Sequence, residues 1–471
     1  MNIMTQRQLL AIALACSAFL GACGGGSDLQ QENAAQTESV SAVAANSGTQ
    51  QATEAAKELF ASSSLTASAI SASTSTASTS TSTAESSTVS ASISAAETDT
   101  EDSSIRYGAD DFAQLPELDP LTFVRQQYSD GSYLASADYA AASTVKWNPG
   151  HYVEYGSKAS DFMIDAGLRE TASMPFVKGI MVRANWSQLE KGKGEYDFSR
   201  VDRYLTKAKA KGKRLFLTLG TKTFNGDAAI PNYMRTDQYS GGAFRIGTII
   251  GTFGENAALY DDEVRDRLIA LVQALGRRYN NDNSFEGITF NETAFGQLVR
   301  PMSDAQKEKF FANLAKVDTA ARQAFPNSVV IQFINYPSNL VPPLFANMKD
   351  KGVGMGGPDV FINDPDLNKS AYRFNPEAKG IVPIGMKVES DCYNAVRHGG
   401  PYTQVDVRDI YRFARDKLYA NYMFWYRYTD RHNPWQDVLS MFKGEAFPDG
   451  GAGGLSAACP SKFGNCAARL P

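Results

Sequence analysis

Gly287-Ile288-Thr289-Phe290-Asn291-Glu292 is a short apolar run that stops on an amide and a carboxylate. It reads as a strand, and a carboxylate ending a buried strand is costly unless pairing or chemistry compensates it. A second run, Ile381 to Glu389, ends in the same way. Apolar runs and amphipathic stretches alternate on both sides of this pair, so the two endings belong to one repeating pattern.

Val145 to Val153 reads as a first strand with its following loop, and Ala159 to Leu168 as a helix. Val177 to Trp186 is a second strand, followed by an amphipathic helix from Phe198 to Gly212. Arg214 to Leu219 is apolar on both faces, as a buried parallel strand should be, and makes a third. After a long loop to Tyr260, Asp262 to Tyr279 is a strongly periodic helix that leads into Gly287–Glu292, the fourth strand. The alternation continues with a helix at 304–324, a strand at 328–335, a helix at 340–351 and a weak, Gly-broken strand at 353–362. Ile381 to Glu389 is the seventh strand, 403–418 a helix, 422–428 the eighth strand and 434–442 a last helix. Eight strand-then-helix units with none left over predict a closed (β/α)8 barrel over an open doubly wound sheet. No Gly-x-Gly-x-x-Gly opens a helix after the first strand, which also counts against a dinucleotide-binding fold.

The N-terminal residues read as an address. Arg7 precedes an apolar stretch, Leu9 to Leu20, that is too short for a permanent membrane span. Leu20-Gly21-Ala22-Cys23 matches a bacterial lipobox, which predicts a signal peptide over 1–22 and lipidation at Cys23. Gly24 is compatible with outer-membrane sorting, so the expected place is the bacterial cell envelope. Residues 23–105 are dominated by Ser, Thr and Ala, and are too poor in apolar surface to offset the entropy of ordering. They read as a disordered tether.

Aromatic residues become dense from Ile105 onward, and all four Trp lie in this part. The barrel domain is expected over 106–447, with 448–471 as a tail packed on it. A net charge of -5 offers no basic footprint for nucleic acid, and a monomer is expected. With three His and no Cys-x-x-Cys, neither a metal nor another cofactor is implied. Cys459–Cys466 would staple the tail, although Cys392 leaves the pairing open.

In a barrel the C-terminal strand ends converge on one axis, and catalytic groups collect there. That end should hold Glu292 and Glu389, with Arg183 from strand two, His151 just past strand one and Tyr336 just past strand five. Trp147, Trp186 and Trp425 would offer ring faces to a carbohydrate, and His432 and Trp435 would line the rim. Two inward carboxylates suit glycoside hydrolysis, one protonated to donate to the leaving oxygen and one ionised to attack the anomeric carbon. Asn291 would hydrogen-bond the sugar 2-OH. Asp391, two residues beyond Glu389, is a rival nucleophile.

Arg183-Ala184-Asn185-Trp186-Ser187-Gln188-Leu189-Glu190, then Gly194-Glu195-Tyr196-Asp197-Phe198 and Asp202, resembles a segment of the retaining (β/α)8 glycoside hydrolases. That large clan includes β-galactosidases, cellulases and xylanases. Asn291-Glu292 resembles its strand-four Asn-Glu, whose Glu is the acid/base. The resemblance covers most of residues 145–435. It implies that Glu389 is the nucleophile, that Trp425 floors the subsite at the cleaved bond, and that the substrate is a β-linked poly- or oligosaccharide. A non-catalytic glycan-binding barrel and a polysaccharide lyase, with Tyr336 or His151 as base, are the alternatives.

Overall fold

The computed structural model describes residues 144–247, 253–398, 404–429 and 433–471. The expected signal peptide, Cys23, the tether and His432 lie outside the described residues. Eight parallel strands close a barrel: β1 (Gly150–Tyr155), β2 (Val177–Asn185), β3 (Arg214–Gly220), β4 (Phe285–Phe290), β5 (Val329–Phe333), β6 (Gly354–Gly357), β7 (Ile384–Val388) and β8 (Tyr422–Tyr426). Each pairs with the strands before and after it in the chain, and β8 pairs with β1. This is the (β/α)8 fold that the alternation predicted.

Strand side chains alternate between the inside of the barrel and the helix-covered outside. Tyr152, Phe216, Ile331, Phe333, Tyr422 and Phe424 fill the inside. Rings this large fit because neighbouring strands supply glycine. A Cβ added to Gly287 would lie 2.7 Å from the Phe216 ring, and one added to Gly356 would lie 2.7 Å from Phe333. The glycines that weaken β6 as a sequence signal are therefore what its packing requires. Outside, the periodic helix Asp262–Tyr279 is capped by Asp261, which accepts from the backbone N–H groups of Glu263 and Val264. Helix Asp304–Ala324 opens with a Ser303/Gln306 capping box.

The first strand lies later than the sequence suggested. Val145–Lys146 pairs with Cys466–Ala467 in a separate two-stranded ribbon, and the barrel strand starts only at Gly150. The break falls at Asn148-Pro149. Pro149 has no N–H, and the Asn148 backbone N–H is held by Glu286 at 2.7 Å. Cys459 and Cys466 form a disulfide in the tail, and Cys392 is free and buried. The long loop after β3 folds as a sheet of its own. There, Lys222–Thr223, Ala243–Gly247 and Phe253–Ala257 are joined by Gln297–Leu298 from the chain after β4.

Candidate active site

The C-terminal mouth is assembled from strand ends. Past β4, Asn291 Oδ1 accepts from the backbone N–H groups of Thr221 (2.7 Å) and Lys222 (3.3 Å), which ties the ends of β3 and β4 together. Gln332 of β5 donates to the Asn291 carbonyl at 2.6 Å. With its backbone held from both sides, the chain presents Glu292, whose Oε1 lies 2.5 Å from the buried Lys222 Nζ. Burial pushes the Glu292 carboxyl up, but Lys222 and then Arg183 outweigh it and hold the group down at about 2.

Glu389 follows the last residue of β7 and meets two cations. Arg183 Nη2 from β2 donates to its Oε1 at 3.2 Å, and the Lys387 ammonium bonds the same oxygen. Burial raises the Glu389 carboxyl, but Lys387 and Arg183 more than reverse this and leave it lowered. Glu292 is near enough to push the other way. Lys387 also reaches Glu154 Oε1 of β1 at 2.8 Å, so one ammonium bridges two carboxylates. Glu154 is fully buried, and burial followed by the charge of Glu389 lifts it to about 7.

Next to this group stand Asp359, past β6, and Asp391. Both carboxyls are raised, mainly by burial and then, for Asp359, by Asp391 itself. Asp359, Asp391 and the Cys392 thiol could meet a cation, since their ligand atoms lie within 4.8 Å of one another. Burial pushes the Cys392 thiol well up. Among the described residues, Arg183 Nε, Asn291 Nδ2 and Glu154 Oε2 are buried polar atoms at the mouth with no protein partner. Unmet donors and acceptors in one place are what a hydroxyl-rich ligand would satisfy.

The structure therefore brings together Glu292, Glu389, Arg183 and Asn291 from among the expected residues. Tyr336 stands at the same end, half-buried past β5, with its backbone N–H on Asn335 Oδ1. Five other residues are placed elsewhere. His151 is the second residue of β1, buried among Phe176, Phe442 and Phe447 outside the barrel wall. Trp425 is fully buried on the same outer side and donates to His151 Nδ1 at 3.0 Å, so it floors no open subsite. Trp147 packs edge-on against Tyr422 and Phe463 at the opposite, N-terminal mouth. Trp186 is fully buried and donates to Glu190 Oε2 at 2.7 Å. Trp435 likewise donates to Glu170. Each indole N–H is engaged within the fold, as buried indoles usually are.

Sequence reading missed Glu154, Lys387, Asp359 and Lys222, and also Tyr426 at the end of β8, which is near enough to act on Arg183. Glu154, Lys387 and Tyr426 were accessible through parity. Tyr152 and Glu154, Lys387 and Glu389, and Phe424 and Tyr426 are each two apart, and residues two apart share a face. Lys222 had no such signal, because a loop positions it.

No protein-family model matches the chain. No curated protein matches it either. Among solved structures, it resembles the catalytic domain of a β-amylase from Paenibacillus polymyxa (11% identity, TM-score 0.43), covering 64% of this chain and all of that one. It also resembles a β-galactosidase from Bacillus circulans sp. alkalophilus (10% identity, TM-score 0.46), covering 63% of this chain but only 56% of the galactosidase. A third is endo-glycoceramidase II from Rhodococcus sp. (13% identity, TM-score 0.40), covering 61% of this chain and 76% of that one. The likeness is one of fold.

Proposed function

We propose that this protein is a retaining glycoside hydrolase acting on a β-linked poly- or oligosaccharide, held at the bacterial envelope through lipidated Cys23. The observation that carries the reading is the placement of two carboxylates, Glu292 and Glu389, at the ends of β4 and β7 around Arg183. Glu389, kept ionised by Arg183 and Lys387, attacks the anomeric carbon and forms the glycosyl-enzyme. Glu292 gives the leaving oxygen a proton and later takes one from the attacking water. Lys222 holds Glu292 ionised in the free enzyme, so the carboxyl must take up that proton before it can act as the acid. The unmet Asn291 Nδ2 donates to the sugar 2-OH.

The test is hydrolysis of a panel of β-linked oligosaccharides, with the first-formed product read by proton NMR. Retained anomeric configuration is expected, and inversion would remove Glu389 as nucleophile. Glu389→Gln should lower kcat by at least about 10⁴-fold, and Glu292→Gln by about 10²–10⁴-fold. If Asp391→Asn abolishes turnover while Glu389→Gln does not, the nucleophile is Asp391.

One observation favours a second reading. A carboxylate clamped by a buried lysine is a poor resting acid, as in a barrel that binds glycans without cleaving them. Glycan binding with no release of reducing ends across the panel would select that reading.

A further inference from the structure

The sheet inserted after β3 supplies more than Lys222. Lys222–Thr223 is its edge strand, paired antiparallel with Asn256 and Glu255. Lys222 is buried, but Phe224, two residues on, is 43% exposed. The Lys222 Nζ lies 5.4 Å from the Phe224 ring centroid and 2.5 Å from Glu292 Oε1. One ammonium thus links an exposed aromatic ring directly to the candidate acid. The backbone there is close-packed as well, since a Cβ added to Gly254 would lie 2.8 Å from the Phe224 Cα and 1.8 Å from the Thr223 carbonyl. Phe224 thus directly follows a paired strand, with its backbone packed against Gly254. The other exposed ring of this sheet, Phe253, is 48% exposed and stacks on Arg245 at 4.4 Å. The register pairs Arg245 with Glu255 and Phe253 with Gly247, which puts that ring on the face opposite to Lys222.

We propose that Phe224 is the stacking platform of the leaving-group subsite, taking the C–H face of the sugar on the departing side of the cleaved bond. The proposal rests on reading Glu292 as the acid, because an acid must stand beside the leaving oxygen. A ring beside that acid then lies under the leaving group. Its flat, apolar face suits a pyranose whose hydroxyls are equatorial, while the buried Lys222 ammonium over the ring is already engaged by Glu292 Oε1 and the Ala294 carbonyl. The substrate class this selects has a sugar, not an alkyl chain, on the leaving side.

The experiment compares two substrates of the full chain. One is whichever of cellotriose, laminaritriose, xylotriose or mannotriose the wild type cleaves. The other is the β-glycosyl fluoride of the same sugar, whose leaving group has no ring and needs no acid. Phe224→Ala should lower kcat/KM on the trisaccharide about tenfold, the scale of losing one half-buried aromatic contact, and leave the fluoride within about twofold. Phe224→Trp should restore the trisaccharide. Equal loss on both substrates, or no loss on either, overturns the subsite. Glu292→Gln separates the two ideas: it should lower kcat/KM on the trisaccharide by about 10²–10⁴-fold. On the fluoride, kcat/KM reports only the acid-independent first step and should fall far less, although kcat drops with the lost base. Unimpaired trisaccharide cleavage by that variant sinks the acid assignment, whatever Phe224→Ala does. A wild type that cleaves neither substrate sinks the hydrolase reading and the subsite with it.

Discussion

At the N-terminal mouth of the barrel, Glu286 is fully buried and accepts from the Asn148 backbone (2.7 Å), the Asn148 amide (2.8 Å) and the Tyr422 hydroxyl (2.9 Å). Lys146 beside it donates to the carbonyls of Asn280 (2.6 Å) and Asp282 (2.8 Å). At the C-terminal mouth, Glu154 is equally buried, yet it shares one lysine with Glu389 and leaves Oε2 without a protein partner. One end satisfies each buried polar group separately. The other crowds like charges and leaves donors and acceptors unmet, at a cost that stability alone does not explain. In barrels of this kind the first pattern belongs to stability and the second to function.

The strongest way to break that contrast is to remove a counter-charge from the crowded mouth. In Lys222→Met, burial acts on Glu292 without its main counterweight, and its titration should move up by more than about two units, from about 2 to beyond the ordinary 4.5. Because the folded value is depressed in the wild type, the pair stabilises the fold above about pH 4.5, and that stabilisation fades as pH falls toward about 2. The variant should therefore be less stable at neutral pH by about 3 kcal/mol and indistinguishable near pH 2. Denaturant unfolding across this range, with carboxyl NMR for Glu292, checks both. An unmoved Glu292 would mean that Lys222 does not control it.

How much of this was legible depended on what places each residue. Glu292, Glu389 and Arg183 sit on or just past barrel strands, so counting strands brought them together. Trp425 was read as facing the site when its neighbour Tyr426 does. Tyr422 and Phe424 fill the barrel interior, so the odd residue between them and Tyr426 must face outward. His151 and Trp147 were misplaced by one break, Asn148-Pro149, which shifts β1 toward its C-terminus and leaves Trp147 at the opposite mouth. Lys222 and Phe224 depend on the register of an inserted sheet between distant segments. No local pattern encodes that pairing.

The stability end offers the converse experiment. Glu286→Leu removes the acceptor for Asn148 and Tyr422 while filling similar volume. It should cost about 3 kcal/mol in denaturant unfolding, because three buried donor groups lose this acceptor. Turnover per folded molecule should not change, since the whole barrel interior separates Glu286 from Glu292. A matching fall in kcat would show that the two mouths are coupled and that the division of labour is wrong.

The smallest effect tests the outer wall, where the resemblance and the structure disagree most. Trp425 donates to His151 Nδ1, so the imidazole is neutral and its Nε2–H faces the Gly453 carbonyl at 3.2 Å. Burial pulls His151 down from 6.5 to about 4. A depressed folded value means that full stability is present above about pH 6.5 and is lost as pH falls through about 4, to the extent of about 3 kcal/mol. Trp425→Phe keeps most of the ring but removes the N–H donor, and should cost only about 1 kcal/mol at pH 7. It frees Nδ1 to accept a proton, so the acid-induced loss in the variant should be shallower than in the wild type. KM for a cleaved oligosaccharide should stay within about twofold, because an outward-facing indole touches no sugar. A rise in KM of tenfold or more, with normal acid stability, would return Trp425 to the subsite floor that the resemblance implied.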